Sequence, residues 1–191
     1  LMARANAYAK RFPGAIIWPG KHWEYSLFLK ETNQEAANHT QIDERASWFY
    51  EAVGVSEGMM GRTVGAGQVY LETSQDTEGR WLDGGKTYRL RVPKDAPVKQ
   101  FWSITAYDNE TRCFVDTGAY PDRSSRDDIV VNPDGTTDLY FGPSPPVGKP
   151  QKNWIKTVPG RGWFTYFRLY APTQPYFDKS WQLPDIERLK G

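Results

Sequence analysis

The chain has 191 residues, enough for one sizeable domain or for one domain with an extension. Its 24 basic and 23 acidic side chains leave a net charge of +1 with no block of like sign, so there is no electrostatic footprint for nucleic acid or for an anionic membrane. No apolar run reaches the length of a membrane span, and a single cysteine, Cys113, excludes an internal disulfide framework.

The opening Leu1-Met2-Ala3-Arg4 does not have the pattern of a signal peptide, and the compartment stays open. Ala3–Arg11 reads as a short helix stopped by Pro13-Gly14, and this abrupt start suggests the later part of something longer. Lys21–Leu29 carries Trp23, Tyr25 and Phe28 without a clear period. Ile42, Ala46, Phe49, Tyr50 and Val53 recur at helical spacing, with Asp43 as cap, which predicts a helix over Ile42–Val55 laid on a sheet. Gly61–Gly67 is then a glycine-punctuated link. Residues 1–67 are therefore expected to be a helical or irregular extension, and 68–191 a β domain.

From Gln68 onward the period becomes two, as side chains alternate across a strand. Strands are predicted at Gln68–Thr73, Thr87–Val92, Lys99–Tyr107, Arg112–Asp116, Asp127–Val131, Thr137–Phe141 and Trp163–Ala171. Turn residues separate them at Asp83-Gly84-Gly85, Asp108-Asn109 and Asn132-Pro133-Asp134-Gly135. The aromatic content, 8 Trp, 11 Tyr and 9 Phe beside 17 Gly and 14 Pro, suits the same reading. About seven strands without βαβ spacing predict a mainly β, jelly-roll-like antiparallel sandwich. Trp163–Ala171 has bulk on both faces, the pattern of a central strand. Gly142–Pro150 is expected to cross between sheets, and Asp185–Lys190 to form a short helix.

Several segments together resemble a known family. Phe101-Trp102-Ser103-Ile104-Thr105-Ala106-Tyr107-Asp108, Asn132-Pro133-Asp134-Gly135, Leu139-Tyr140-Phe141-Gly142-Pro143, Asn153-Trp154 and Gly162-Trp163-Phe164 through Arg168-Leu169-Tyr170 are similar to signatures of the bacterial domain of unknown function 1214. The resemblance covers roughly residues 68–185. It implies a jelly-roll-like β-sandwich, often preceded by a companion domain numbered 1254, with no agreed activity. The chain is then expected to be a short member or a C-terminal portion.

The residues themselves offer little catalytic chemistry. His22, His39 and Cys113 are the whole supply of His and Cys, too few and too scattered for a metal centre, and no Gly-x-Ser-x-Gly elbow occurs. No cofactor is expected. Cys113 reads as a buried, inert thiol. Glu72, Asp108, Asp116 and Asp138 are the acids that could converge for acid–base work. The better candidate is an aromatic and arginine set, Trp102, Tyr107, Arg112, Trp154, Tyr166, Arg168 and Tyr170, joined by Asn153. Such a surface suits a carbohydrate or small organic ligand, with rings for stacking and a few polar anchors. The competing account is that these aromatics are core and the arginine pairs with an acid to hold the sandwich shut. Three functions stay open: a binding module, an enzyme on a carbohydrate or related polar substrate, or an assembly domain docked on a second copy or an upstream domain.

Overall fold

The computed structural model describes residues 15–26, 35, 37–40, 42 and 63–190. The helices expected over Ala3–Arg11 and Ile42–Val55 lie outside the described residues, apart from Ile42 itself. The described elements are β1 (Glu24–Tyr25), β2 (Gln68–Thr73), β3 (Tyr88–Val92), β4 (Trp102–Asp108), β5 (Asp122–Ser124), β6 (Thr137–Gly142), β7 (Trp154–Lys156), β8 (Trp163–Tyr170), a short helix α1 (Gln174–Phe177) and β9 (Glu187–Arg188). They form a five-stranded sheet in the order β1-β2-β8-β4-β5 and a four-stranded sheet in the order β7-β6-β3-β9. The mainly β, sandwich-like class expected from the sequence is observed.

β8 is the middle strand of the larger sheet, bonded to β2 on one side and β4 on the other. Its Trp163, Thr165, Phe167 and Leu169 point into the sandwich and are buried. Trp163 stacks on Phe141 of β6 at 4.7 Å and meets the edge of Tyr88 of β3 at 5.8 Å. Phe167 stacks on Trp102 at 5.4 Å, and Trp23 and Trp181 close around it at 6.4 Å each. Val69 and Leu71 of β2 and Leu90 and Val92 of β3 complete this core. Burying one such side chain contributes about 1.5–3 kcal/mol, so the aromatic centre is the main stabilising feature of the sandwich.

The segment 15–26 also belongs to this packing. β1 pairs with β2 through Glu24 and Glu72, and Trp18 lies edge-on to Trp181 at 6.0 Å. The indole of Trp23 donates to the Pro184 carbonyl at 2.9 Å, and the His22 backbone N–H donates to Asp185 Oδ1 at 2.9 Å. The two ends of the described chain are thus tied to each other.

Five sequence expectations are corrected. Arg112–Asp116 is not a strand: the Asp108 carboxylate accepts from the Glu110 and Thr111 N–H groups, which bends the chain into a turn, with one bridge between Tyr107 and Phe114. That turn leaves Cys113 exposed, not buried. Asp127–Val131 is a loop held by side chains, and Val130 and Val131 face outward. Gly142–Pro150 does not cross between sheets but lets β7 return parallel to β6 in the same sheet. Asp185–Lys190 is not helical: Ile186 bridges to Asp76 and β9 pairs with β3, because an open sheet edge offers hydrogen bonds that a single isolated helical turn cannot match.

Candidate functional site

The outer face of the five-stranded sheet is built by three adjacent strands. The register sets Tyr70 of β2 beside Arg168 of β8, and Arg168 beside Ser103 of β4. One step along, Glu72, Tyr166 and Thr105 are neighbours; one step further, Phe164 is opposite Tyr107. Alternation therefore gathers every second residue of three strands onto one surface. The guanidinium carbon of Arg168 lies 5.2 Å from the Tyr70 ring centre, 5.4 Å from Tyr166 and 5.7 Å from Tyr107, each within cation–π range. Tyr166 stands edge-on to both Tyr70 and Tyr107, at 5.8 and 5.1 Å.

The hydrogen bonds of Arg168 run to neutral oxygens. Nη1 donates to Thr105 Oγ1 at 2.8 Å, and Nη2 donates to the Tyr107 hydroxyl. No carboxylate among the described residues forms an ion pair with it. Burial works against its charge, but the Tyr107 and Tyr70 oxygens more than offset this, so its pKa lies above the ordinary arginine value and it stays a cation. Burial likewise pushes the Tyr70 phenol up, against the pull of Arg168, so that ring remains protonated at neutral pH. Gln68 Nε2 donates to its oxygen at 2.6 Å.

Two flanks complete the surface. On one, Arg112 lies flat on Phe164, its guanidinium carbon 3.6 Å from the ring centre, with Nη2 3.5 Å from Glu72 Oε1. Both partners are nearly closed off, with side chains 6% and 3% exposed. Arg112 reaches this position from a left-handed backbone, φ 61°, which the turn after β4 imposes. On the other flank Tyr170 stacks on Phe101 at 4.0 Å, and Arg126 covers Phe101.

Of the residues expected to line a ligand surface, Tyr107, Arg112, Tyr166, Arg168 and Tyr170 come together here. Trp102 does not, since its parity on β4 turns it into the core against Phe167. Asn153 is buried in a separate role: Oδ1 accepts from the Val130 N–H at 2.7 Å, and Nδ2 donates to the Val130 and Asp138 carbonyls at 2.8 Å each. Trp154 lies on β7 at the edge of the other sheet and donates to the Gly142 carbonyl. Tyr70 and Thr105 were missed. Their alternation with Val69, Leu71, Ile104 and Ala106 was visible, but only the pairing of β2 and β4 with β8 puts them beside Arg168.

The four acids do not converge on one site. Glu72 faces Arg112, Asp138 is bound bidentately by Arg91 at 2.7 and 2.8 Å, and Asp108 accepts from Arg161 at 2.8 Å. Asp108 and Asp116 do share a cleft of 430 Å³ with Cys113, Phe114 and Val158. Burial pushes the Asp108 carboxyl up, but Arg161 and the N–H groups of Thr111 and Glu110 hold it below the usual range, so it is no proton donor at neutral pH. Among the described residues no three metal-ligating side chains gather, and no helix is long and apolar enough to cross a membrane.

Residues 67–174 match the family model described as "Protein of unknown function (DUF1214)". The fold is similar to the crystal structure of the VPA0106 protein from Vibrio parahaemolyticus, with a TM-score of 0.58 and 23% identity. That likeness covers 84% of this chain and 40% of the Vibrio chain, so the sequence spans less than half of that relative's length. A putative uncharacterized protein from Burkholderia cenocepacia aligns at a TM-score of 0.41 and 16% identity, over 66% of this chain and 31% of its own. No curated protein matches the sequence.

Proposed function

Since the chain belongs to the DUF1214 family, whose description names no activity, we propose from the geometry of its own residues that it is a binding module for a small organic ligand or carbohydrate. The site is the outer face around Arg168, with the half-buried Tyr70, Tyr107 and Tyr170 as walls and the buried Tyr166 beside them. One observation carries this reading: Arg168 is caged by three tyrosine rings and holds only neutral hydroxyl partners. Other arginines of the fold are matched by a carboxylate, as Arg91 of β3 is by Asp138 of the neighbouring strand β6. Aromatic walls with one polar anchor are the usual composition of a small-molecule site.

The test is ligand capture. Arg168→Ala is expected to keep the fold, because no buried carboxylate is stranded by the change, and to lose small molecules that co-purify with the wild-type chain. Mass spectrometry of the released ligands, with metabolite and glycan-array screening, reads the difference; circular dichroism checks the fold. An unfolded variant together with a wild-type chain that captures nothing would overturn the reading. A second reading is favoured by the Arg168–Tyr107 hydrogen bond, which would let Tyr107 serve in acid–base chemistry on a bound polar substrate. Turnover of a captured ligand that is lost in Tyr107→Phe, while binding survives, selects that alternative.

A further inference from the structure

β5 ends the five-stranded sheet and β7 ends the four-stranded one. Arg123 of β5 joins the two ends, donating from Nε to the Lys152 carbonyl at 2.6 Å and from Nη2 to the Trp154 carbonyl at 2.5 Å. β5 bonds to β4 through residues on either side of Ser124: the Ser125 N–H donates to the Trp102 carbonyl, and the Pro121 carbonyl accepts from the Ala106 N–H. Alternation along an antiparallel pair therefore turns the N–H and C=O of Ser124 to the open side. Asp127 takes up both. Its Oδ2 accepts from the Ser124 N–H at 2.7 Å, and its own N–H donates to the Ser124 carbonyl at 3.1 Å. On β7 the outward residue is Trp154, whose N–H donates to the Gln151 carbonyl and whose C=O is the one that Arg123 covers.

The loop that supplies Asp127 has the composition of a strand. Ile129-Val130-Val131 is a β-branched run, and Val130 and Val131 are 44% and 55% exposed. Its backbone is nonetheless kept from pairing, because the Asn153 amide holds both the N–H and the C=O of Val130. Each copy of the chain thus carries, a few residues apart, a capped sheet edge and a capped strand-prone run. An uncapped edge is a template for another chain. A second copy offers the complement in both directions, its run to this edge and its edge to this run, which is what a two-fold pair requires.

We infer that Asp127 and Arg123 guard a self-pairing edge, and that the partner they hold off is residues 127–131 of a second copy of this chain. This goes beyond the ligand reading and does not depend on it. The test compares the full-length wild type with Asp127→Ala, Asp127→Asn and the double variant Asp127→Ala/Val131→Lys. Light scattering over a concentration series reads association, infrared spectroscopy reads intermolecular β pairing, and circular dichroism reads the fold. Asp127→Ala removes the acceptor and is expected to raise the self-association constant at least about tenfold, with new intermolecular β signal. Asp127→Asn loses the same charge but keeps an oxygen for the Ser124 N–H, and is expected to match the wild type. Val131→Lys puts a charge on the strand-prone run and is expected to reverse the effect of Asp127→Ala. In the wild type the Ser124 and Val130 amides should exchange hydrogen slowly. Asp127→Ala that associates no more than the wild type overturns the inference. So does equal association of Asp127→Ala and Asp127→Asn, which would make charge the cause. Unfolding of Asp127→Ala counts against it too, since a guard is not needed for folding, as does unprotected exchange of the two wild-type amides.

Discussion

Asn153 and Arg168 carry polar groups of opposite kinds. The amide of Asn153 is closed off and its three hydrogen bonds go to the backbone at Val130 or Asp138. It replaces the strand pairing that residues 127–131 lack. Asn153→Ala would take the partner from a part-buried N–H and from two carbonyls, one of them buried, and is expected to lower unfolding stability by about 2 kcal/mol in a urea titration. Arg168 instead donates to the hydroxyls of Thr105 and Tyr107 and meets no carboxylate among the described residues. From the sequence the two looked alike, as polar residues beside aromatics. What separates them is which groups their hydrogen bonds reach, and that is a property of neighbours far along the chain.

At the scale of elements, β8 was readable because its two faces obey one simple rule. Bulk on both sides requires cover on both sides, and the strand is central as that requires. Phe167→Ala removes the ring that Trp23, Trp102 and Trp181 surround, and should cost about 3–5 kcal/mol in the same assay. The connection before β3 carries a different constraint. A Cβ added at Gly84 would come within 2.1 Å of the Val158 carbonyl oxygen, which is backbone and cannot swing away. Gly84→Ala is therefore expected to destabilise by about 3 kcal/mol or more, seen as a lowered thermal midpoint. Arg112–Asp116 and Asp127–Val131 misled because short apolar runs alternate by chance. A capping carboxylate at Asp108 and a side-chain latch at Asn153 outweighed that weak pattern.

On the scale of the whole molecule, stability should depend on acid. The Arg91 guanidinium holds the Asp138 carboxyl below the usual carboxylate range. A carboxyl lowered on folding contributes stability that is fully present above its unfolded value of about 3.9 and is lost as pH falls through the lower folded value. Chemical unfolding followed from neutral pH into that acid range should show this fall, and Asp138→Asn should flatten it while lowering stability at neutral pH. A variant whose acid limb matches the wild type would show that the pair contributes nothing. The sequence by itself determined the β class, the central strand and which residues share each of its faces, because alternation and turn chemistry are local. Tertiary structure alone decided that Trp102 is core, that Cys113 is exposed and that β9 joins a sheet edge. It also decided that Arg168 meets Tyr70, Tyr107 and Tyr166, because strand pairing brings together residues up to about a hundred positions apart in the chain.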